Sequence, residues 1–246
     1  WNCAKFQKRN PDIAVPEDQK YITRETPWGK MNYIDYKHKI EFNKKEYDYI
    51  NEYCSEKPVA WSTSIWDLDS LEFYMNYTPD FIKIPSAMLN NSELVIECCR
   101  TGLPIIQSTG MSTQKEVDNV VELLEKYGTS YAILHCNSSY PAKQNELNLS
   151  VIPMYIERYK CIVGYSGHEY GLEPSVLAVA LGAKIIERHI TLDHRMWGTD
   201  QSSSIEIRGM FDLKNRIDQV KTVIGKPIKE ISQEEIAIRK KLSGTS

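Results

Sequence analysis

The sequence predicts an α/β fold of the (β/α)8 barrel type, a single domain over residues 1–246, and three observations carry that expectation. Short β-rich apolar runs alternate with longer helix-patterned segments, at a repeat of about 20 to 30 residues that suits one strand, one helix and two loops. Polar residues stand at the C-terminal end of nearly every run, where a barrel builds its site. No glycine-rich dinucleotide fingerprint follows any strand, which counts against an open, doubly wound sheet.

The first strand is read at 4–7, and the stretch 8–57 then breaks the rhythm. It holds Pro11, Pro16 and Pro27, the turn Pro27-Trp28-Gly29 and a charged amphipathic segment at 42–53. Trp28, Tyr33, Tyr36 and Phe42 suit an excursion that wraps the barrel or its mouth. Strands follow at 58–63, 81–86, 104–110, 131–137, 161–166 and 183–189. Between them, Ser112-Thr113-Gln114-Lys115-Glu116 opens a helix with N-cap chemistry, and Val117, Val120, Val121 and Leu124 recur at helical spacing before Gly128. A second helix is read from Glu173 to Leu181, stopped by Gly182. Seven strands with continuous apolar runs indicate a parallel sheet covered by helices.

Composition narrows the function classes. Thirty Lys and Arg stand against 33 Asp and Glu, a formal net charge of −3, so no basic excess points to nucleic acid. No apolar run approaches the roughly 18 residues of a membrane span, and the opening residues lack a signal-peptide layout, so the expected location is cytoplasmic. The six cysteines form no CxxC pair and read as buried thiols.

Strand parity sorts the chemistry, because residues two apart share a face. Lys5 pairs with Gln7, His135 with Asn137, Ser166 with His168 and Glu187 with His189. The strand ends thus gather two histidines, Lys5, Lys83, Glu187 and the hydroxyls of Thr63, Ser86, Ser108, Ser138 and Ser166. Lysines with hydroxyls suit a phosphate or carboxylate. Two neutral imidazoles, with water and substrate oxygens, can complete a site for Mn2+ or Mg2+, and such a metal polarises a carbonyl. Zinc fits less well, since its catalytic sites take three protein ligands. Lys83 read alone also suits a Schiff-base aldolase, so both readings stay open at this point.

The motifs Lys5-Phe6-Gln7-Lys8-Arg9, Thr26-Pro27-Trp28-Gly29, Phe81-Ile82-Lys83-Ile84-Pro85-Ser86, Ser108-Thr109-Gly110-Met111, Leu134-His135-Cys136-Asn137-Ser138-Ser139-Tyr140-Pro141, Gly164-Tyr165-Ser166-Gly167-His168, Glu187-Arg188-His189-Ile190-Thr191 and Gly198-Thr199-Asp200 run in order across nearly the whole chain. In these the chain resembles the sialic acid synthase family, including relatives that act in spore coat polysaccharide synthesis. The resemblance implies a barrel enzyme that condenses phosphoenolpyruvate with an aldehyde amino sugar, releasing phosphate and a 2-keto-3-deoxy sugar acid. It implies His168 and His189 as metal ligands, and Lys5, Thr63, Lys83, Ser86, Ser108, Ser138 and Ser166 as phosphoenolpyruvate contacts. It further implies Gln7, Tyr140 and Asp200 as sugar contacts, Glu187 as a proton-transfer group, and a homodimer as the assembly. A non-catalytic sugar-phosphate-binding relative is the rival outside enzymes.

Departures from the family pattern qualify these expectations. Met88 stands where a sialic acid synthase has a glutamate near the sugar, which points away from N-acetylmannosamine as acceptor. Gly167 replaces an aspartate. The family's first strand, with its glutamate, has no counterpart, so a barrel short of its first βα unit is expected, as is the lack of the antifreeze-like C-terminal domain.

Overall fold

A computed structural model describes residues 1–243. The elements are β1 (Cys3–Lys8), α1 (Pro11–Ala14), β2 (Thr23–Thr26), β3 (Gly29–Asn32), α2 (Tyr33–Ile40), α3 (Lys44–Ser55), β4 (Ala60–Ile65), α4 (Leu68–Met75) and β5 (Ile82–Ile84). They continue with α5 (Ser92–Arg100), β6 (Ile105–Ser108), α6 (Gln114–Lys126), β7 (Tyr131–Cys136), α7 (Val151–Tyr159), β8 (Ile162–Gly167), α8 (Glu173–Ala180), β9 (Ile185–Arg188), α9 (Ile207–Ile224) and α10 (Gln233–Ser243).

Seven strands form one parallel sheet in the order β1-β4-β5-β6-β7-β8-β9. Its edge strands β1 and β9 do not pair with each other, yet Lys5 of one reaches Glu187 of the other at 3.2 Å. The sheet is therefore curled, with its two edges facing across the interior. Side-chain alternation divides it into two faces. Ile82, Ile84, Ile105, Ile133 and Val163 point outward and join Leu94, Val95, Val117, Leu124 and Ile152 of the covering helices in the main core. The inner face carries the polar set. β5 shows the division in three residues, since Lys83 lies between two fully buried isoleucines.

Helix ends follow local chemistry. Thr113 caps α6 and Glu116 returns the bond to the Thr113 backbone, a complete capping box. Gly128 takes a positive φ of 64° just past that helix.

Two expectations need correction. The strand read at 58–63 runs two residues later, because Pro58 lacks an amide hydrogen and pairing with β1 starts at Ala60. The excursion at 8–57 is not irregular loop. It folds into the β2–β3 hairpin and α1–α3, and α3 packs Tyr47, Ile50 and Cys54 against Phe6 and Trp61 on the outer face of β1 and β4 and against Phe73 of α4.

Candidate active site

The inner strand ends build the site. Lys5 (β1), Lys83 (β5) and Glu187 (β9) converge, with Glu187 3.2 Å from Lys5 and 4.0 Å from Lys83. Ser166 donates to the Glu187 carboxylate at 2.9 Å. The Lys83 ammonium donates to Ser108 Oγ at 2.6 Å and to the Ile84 carbonyl at 3.0 Å. Burial by itself would raise the Glu187 carboxyl, but Lys5 and Lys83 outweigh it, and Glu187 is held well below the usual carboxylate range. Burial draws Lys83 down to about 8, against the opposing pull of Glu187. The group is an anionic centre flanked by two cations, so its net charge favours an incoming anion.

Beside it, Ser86, Cys136 and Ser138 close around Gly110. Ser86 Oγ accepts from the Gly110 amide at 2.8 Å and lies 3.1 Å from Cys136 Sγ. A Cβ on Gly110 would sit 2.1 Å from Ser138 Oγ, so only glycine admits this approach.

His168 follows β8 and His189 follows β9, with ring centroids 5.2 Å apart. His168 Nδ1 donates to the Asn137 carbonyl at 2.6 Å, which leaves Nε2 as the acceptor nitrogen. Burial lowers His168 to about 4, so the ring is neutral at physiological pH. The Tyr140 ring lies tilted against it, centroids 4.2 Å apart, and places its hydroxyl 3.2 Å from Nε2. Asp200 stands 3.4 Å from His189 Nδ1, and the hydrogen bond with His189 lowers its carboxyl to about 2. Among the described residues no cluster of three or more His, Cys, Asp or Glu has metal-ligand geometry. The neutral, carbonyl-anchored His168 beside His189 nonetheless fits a two-histidine donor set whose other positions come from substrate and water.

Most of the residues singled out from sequence thus come together: Lys5, Lys83, Ser86, Ser108, Ser138, Tyr140, Ser166, His168, Glu187, His189 and Asp200. Gln7 shares the inner face with Lys5 and is exposed. Thr63 does not join them. It is fully buried, 3.2 Å from the Tyr47 hydroxyl of α3, and its register partner Phe6 lies in that outer aromatic cluster. Ser62 and Ser64 occupy the inner parity of β4 instead, opposite Lys5 and Gln7. Cys136, which shares its strand parity with Ser138, is a site neighbour beyond the expected set. His135 faces outward and donates to the Leu147 carbonyl at 2.7 Å. Met88 is partly buried and packs against the main core.

Fold and site together define a protein of the α/β-barrel class, with lysines, hydroxyls and a histidine pair at the C-terminal ends of its parallel strands. The chain belongs to the NeuB family, whose sequence model matches residues 1–229. It is 33% identical over 244 residues to the N-acetylneuraminate-9-phosphate synthase of Homo sapiens, covering 98% of this chain and 68% of that protein. It is 29% identical over 246 residues to the N,N'-diacetyllegionaminic acid synthase of Legionella pneumophila, covering 97% of this chain and 69% of that one. The solved N-acetylneuraminic acid (sialic acid) synthetase of Leptospira borgpetersenii, in complex with citrate, superposes with a TM-score of 0.85 at 29% identity. That match covers 99% of this chain and 82% of the solved one. The chain spans about two thirds of the length of the two curated relatives. No described helix is long and apolar enough to cross a membrane.

Proposed function

We propose that the protein condenses phosphoenolpyruvate with an aldehyde sugar of the N-acetylhexosamine type, giving a sialic-acid-like 2-keto-3-deoxy sugar acid and inorganic phosphate. The observation that carries this reading is the convergence of Lys5, Lys83 and Glu187, with Ser108 and Ser166, beside the His168–His189 pair. The names of the human and Legionella relatives support the same class of reaction.

On this reading Lys5 and Lys83, with Ser86, Ser108, Ser138 and Ser166, hold the phosphate and carboxylate of phosphoenolpyruvate. Gln7, Tyr140 and Asp200 orient the sugar. C3 of phosphoenolpyruvate forms the new carbon–carbon bond to the aldehyde carbon; water then adds at C2, and phosphate leaves with cleavage of its C–O bond. Glu187 is the proton-transfer group of this reading, although the two lysines that keep it ionised also make it a weak base. His168 and His189 would hold Mn2+ or Mg2+, which when bound supplies Lewis-acid polarisation of the aldehyde oxygen. The same reading has an eighth strand closing the two unpaired edges, β1 and β9, and places the protein in the cytoplasm as a homodimer.

The test is phosphate release from phosphoenolpyruvate with Mn2+ or Mg2+ and a panel of free and phosphorylated N-acetylhexosamines, with the keto acid identified by mass spectrometry. Chelation is expected to abolish turnover, and His168→Ala likewise. Lack of phosphate release with every sugar would instead favour a binding-only relative. The lowered Lys83 amine favours one second reading, a Schiff-base aldolase. Its test is borohydride trapping with pyruvate. No adduct on Lys83 is expected, because Lys83 Nζ is already engaged by Ser108, Ile84 and Glu187.

A further inference from the structure

Glu169 and Arg188 are the immediate chain neighbours of His168 and His189, and neither belongs to the set described above. Their side chains are 0% and 1% exposed, and Arg188 Nη1 lies 3.1 Å from Glu169 Oε1. Strand alternation turns them away from the histidines, to the outer side of the sheet beneath α8. There Arg188 Nη1 also donates to the Gly171 carbonyl at 2.9 Å and to Ser175 Oγ of α8 at 3.2 Å. Its Nη2 donates to the Glu169 carbonyl at 2.8 Å. The other carboxylate oxygen, Glu169 Oε2, accepts from the Tyr165 hydroxyl of β8 at 2.7 Å.

Gly167 completes the arrangement. A Cβ there would lie 2.8 Å and 2.9 Å from the two Glu169 carboxylate oxygens and 2.8 Å from the Tyr165 ring. The missing side chain at 167 is therefore the space that the Glu169 carboxylate fills.

A buried ion pair is weak evidence of stability, because desolvation offsets most of its attraction. Its directional bonds do restrict geometry. These bonds tie the end of β8, the turn at 169–171, α8 and the end of β9 into one unit. Each partner is one peptide from a histidine, so the shift of either partner moves the neighbouring ring.

We propose that the Glu169–Arg188 pair, seated in the space left by Gly167, is a positioning clamp that sets the separation and orientation of His168 and His189. What the histidines then hold rests on the proposed function; the clamp itself does not.

The experiment compares wild-type protein with Glu169→Gln and Arg188→Lys by two readouts. The first is Mn2+ affinity by titration calorimetry, expected to weaken about tenfold or more, the range for residues that orient metal ligands. The second is the ring 15N resonances of the metal-free protein, where His168 and His189 are expected to shift while His38 stays in place. Thermal melts confirm folding. Should both variants fail to fold, Tyr165→Phe and Ser175→Ala decide the matter, since each deletes one hydrogen bond of the unit; a several-fold loss of affinity with shifted His168 and His189 signals is expected. Folded variants with wild-type Mn2+ affinity and unmoved histidine signals would overturn the clamp. If wild-type protein binds no Mn2+, the metal reading fails, and the 15N signals alone judge the clamp, for it if they shift and against it if they do not.

Discussion

Burial draws the Lys83 ammonium down to about 8, with Glu187 opposing that shift and Lys5 adding to it. The sign of the resulting pH dependence follows directly. Below about pH 8 the side chain carries the charge that, on the proposed function, attracts the phosphate of the substrate; above it the proton is lost and the attraction with it. Accordingly kcat/KM for phosphoenolpyruvate should fall about tenfold per pH unit above that point, read from its pH profile in the free enzyme. Gly110 offers a second check at this scale. A Cβ there meets Ser138 Oγ at 2.1 Å, Cys136 Sγ at 2.8 Å and Ser86 Oγ at 3.0 Å. Gly110→Ala must push those side chains apart, and kcat/KM should drop by up to about 100-fold, with a loss of stability of about 1–3 kcal/mol seen in the melting curve. Residue identities at the strand ends were legible in the sequence because a lysine or glutamate on an apolar strand needs a partner. Which partner each one takes was not legible, since Lys5 and Glu187 lie far apart along the chain.

Among elements, α6 and β4 show where local pattern suffices and where it does not. Thr113 and Glu116 form the capping box of α6, and both are read directly from spacing. Thr113→Ala should cost about 1 kcal/mol, seen as a lower urea midpoint with an unchanged slope. β4 is different. Its start depends on pairing with β1, and its outer face is chosen by the aromatic cluster in which Phe6 packs edge to face with Tyr47 and with Trp61. That cluster places Thr63 on the helix side and Ser62 and Ser64 on the inner side. A one-residue change of parity moves every side chain to the opposite face, and period-2 alternation alone does not say which face is which.

For the whole molecule, the excursion at 8–57 is joined to the far end of the barrel. Tyr36 of α2 meets Trp197, in the segment after β9 that carries Asp200, with ring centroids 5.3 Å apart at 77°. An aromatic pair of this kind contributes about 0.5–1.5 kcal/mol. Tyr36→Ala should therefore loosen the contact between the excursion and that segment, measured as several-fold faster cleavage within 8–57 under limited proteolysis. On the proposed function, chelating a metal held at the histidines should leave the fold standing, with an unchanged circular dichroism spectrum, because the core lies between sheet and helices rather than around the histidines.

Local pattern along the chain is enough to specify the alternation of strands and helices, the parallel sheet, the helix caps and the polar character of the strand ends. These are local properties, set by periodicity, capping chemistry and the burial preference of each side chain. That β1 and β9 face each other through Lys5 and Glu187, that Thr63 serves α3, and that Gly167 makes room for Glu169 emerges only from the folded chain. Each of those depends on which residues meet across the curled sheet, and such meetings are fixed by the packing of distant segments rather than by spacing along the chain.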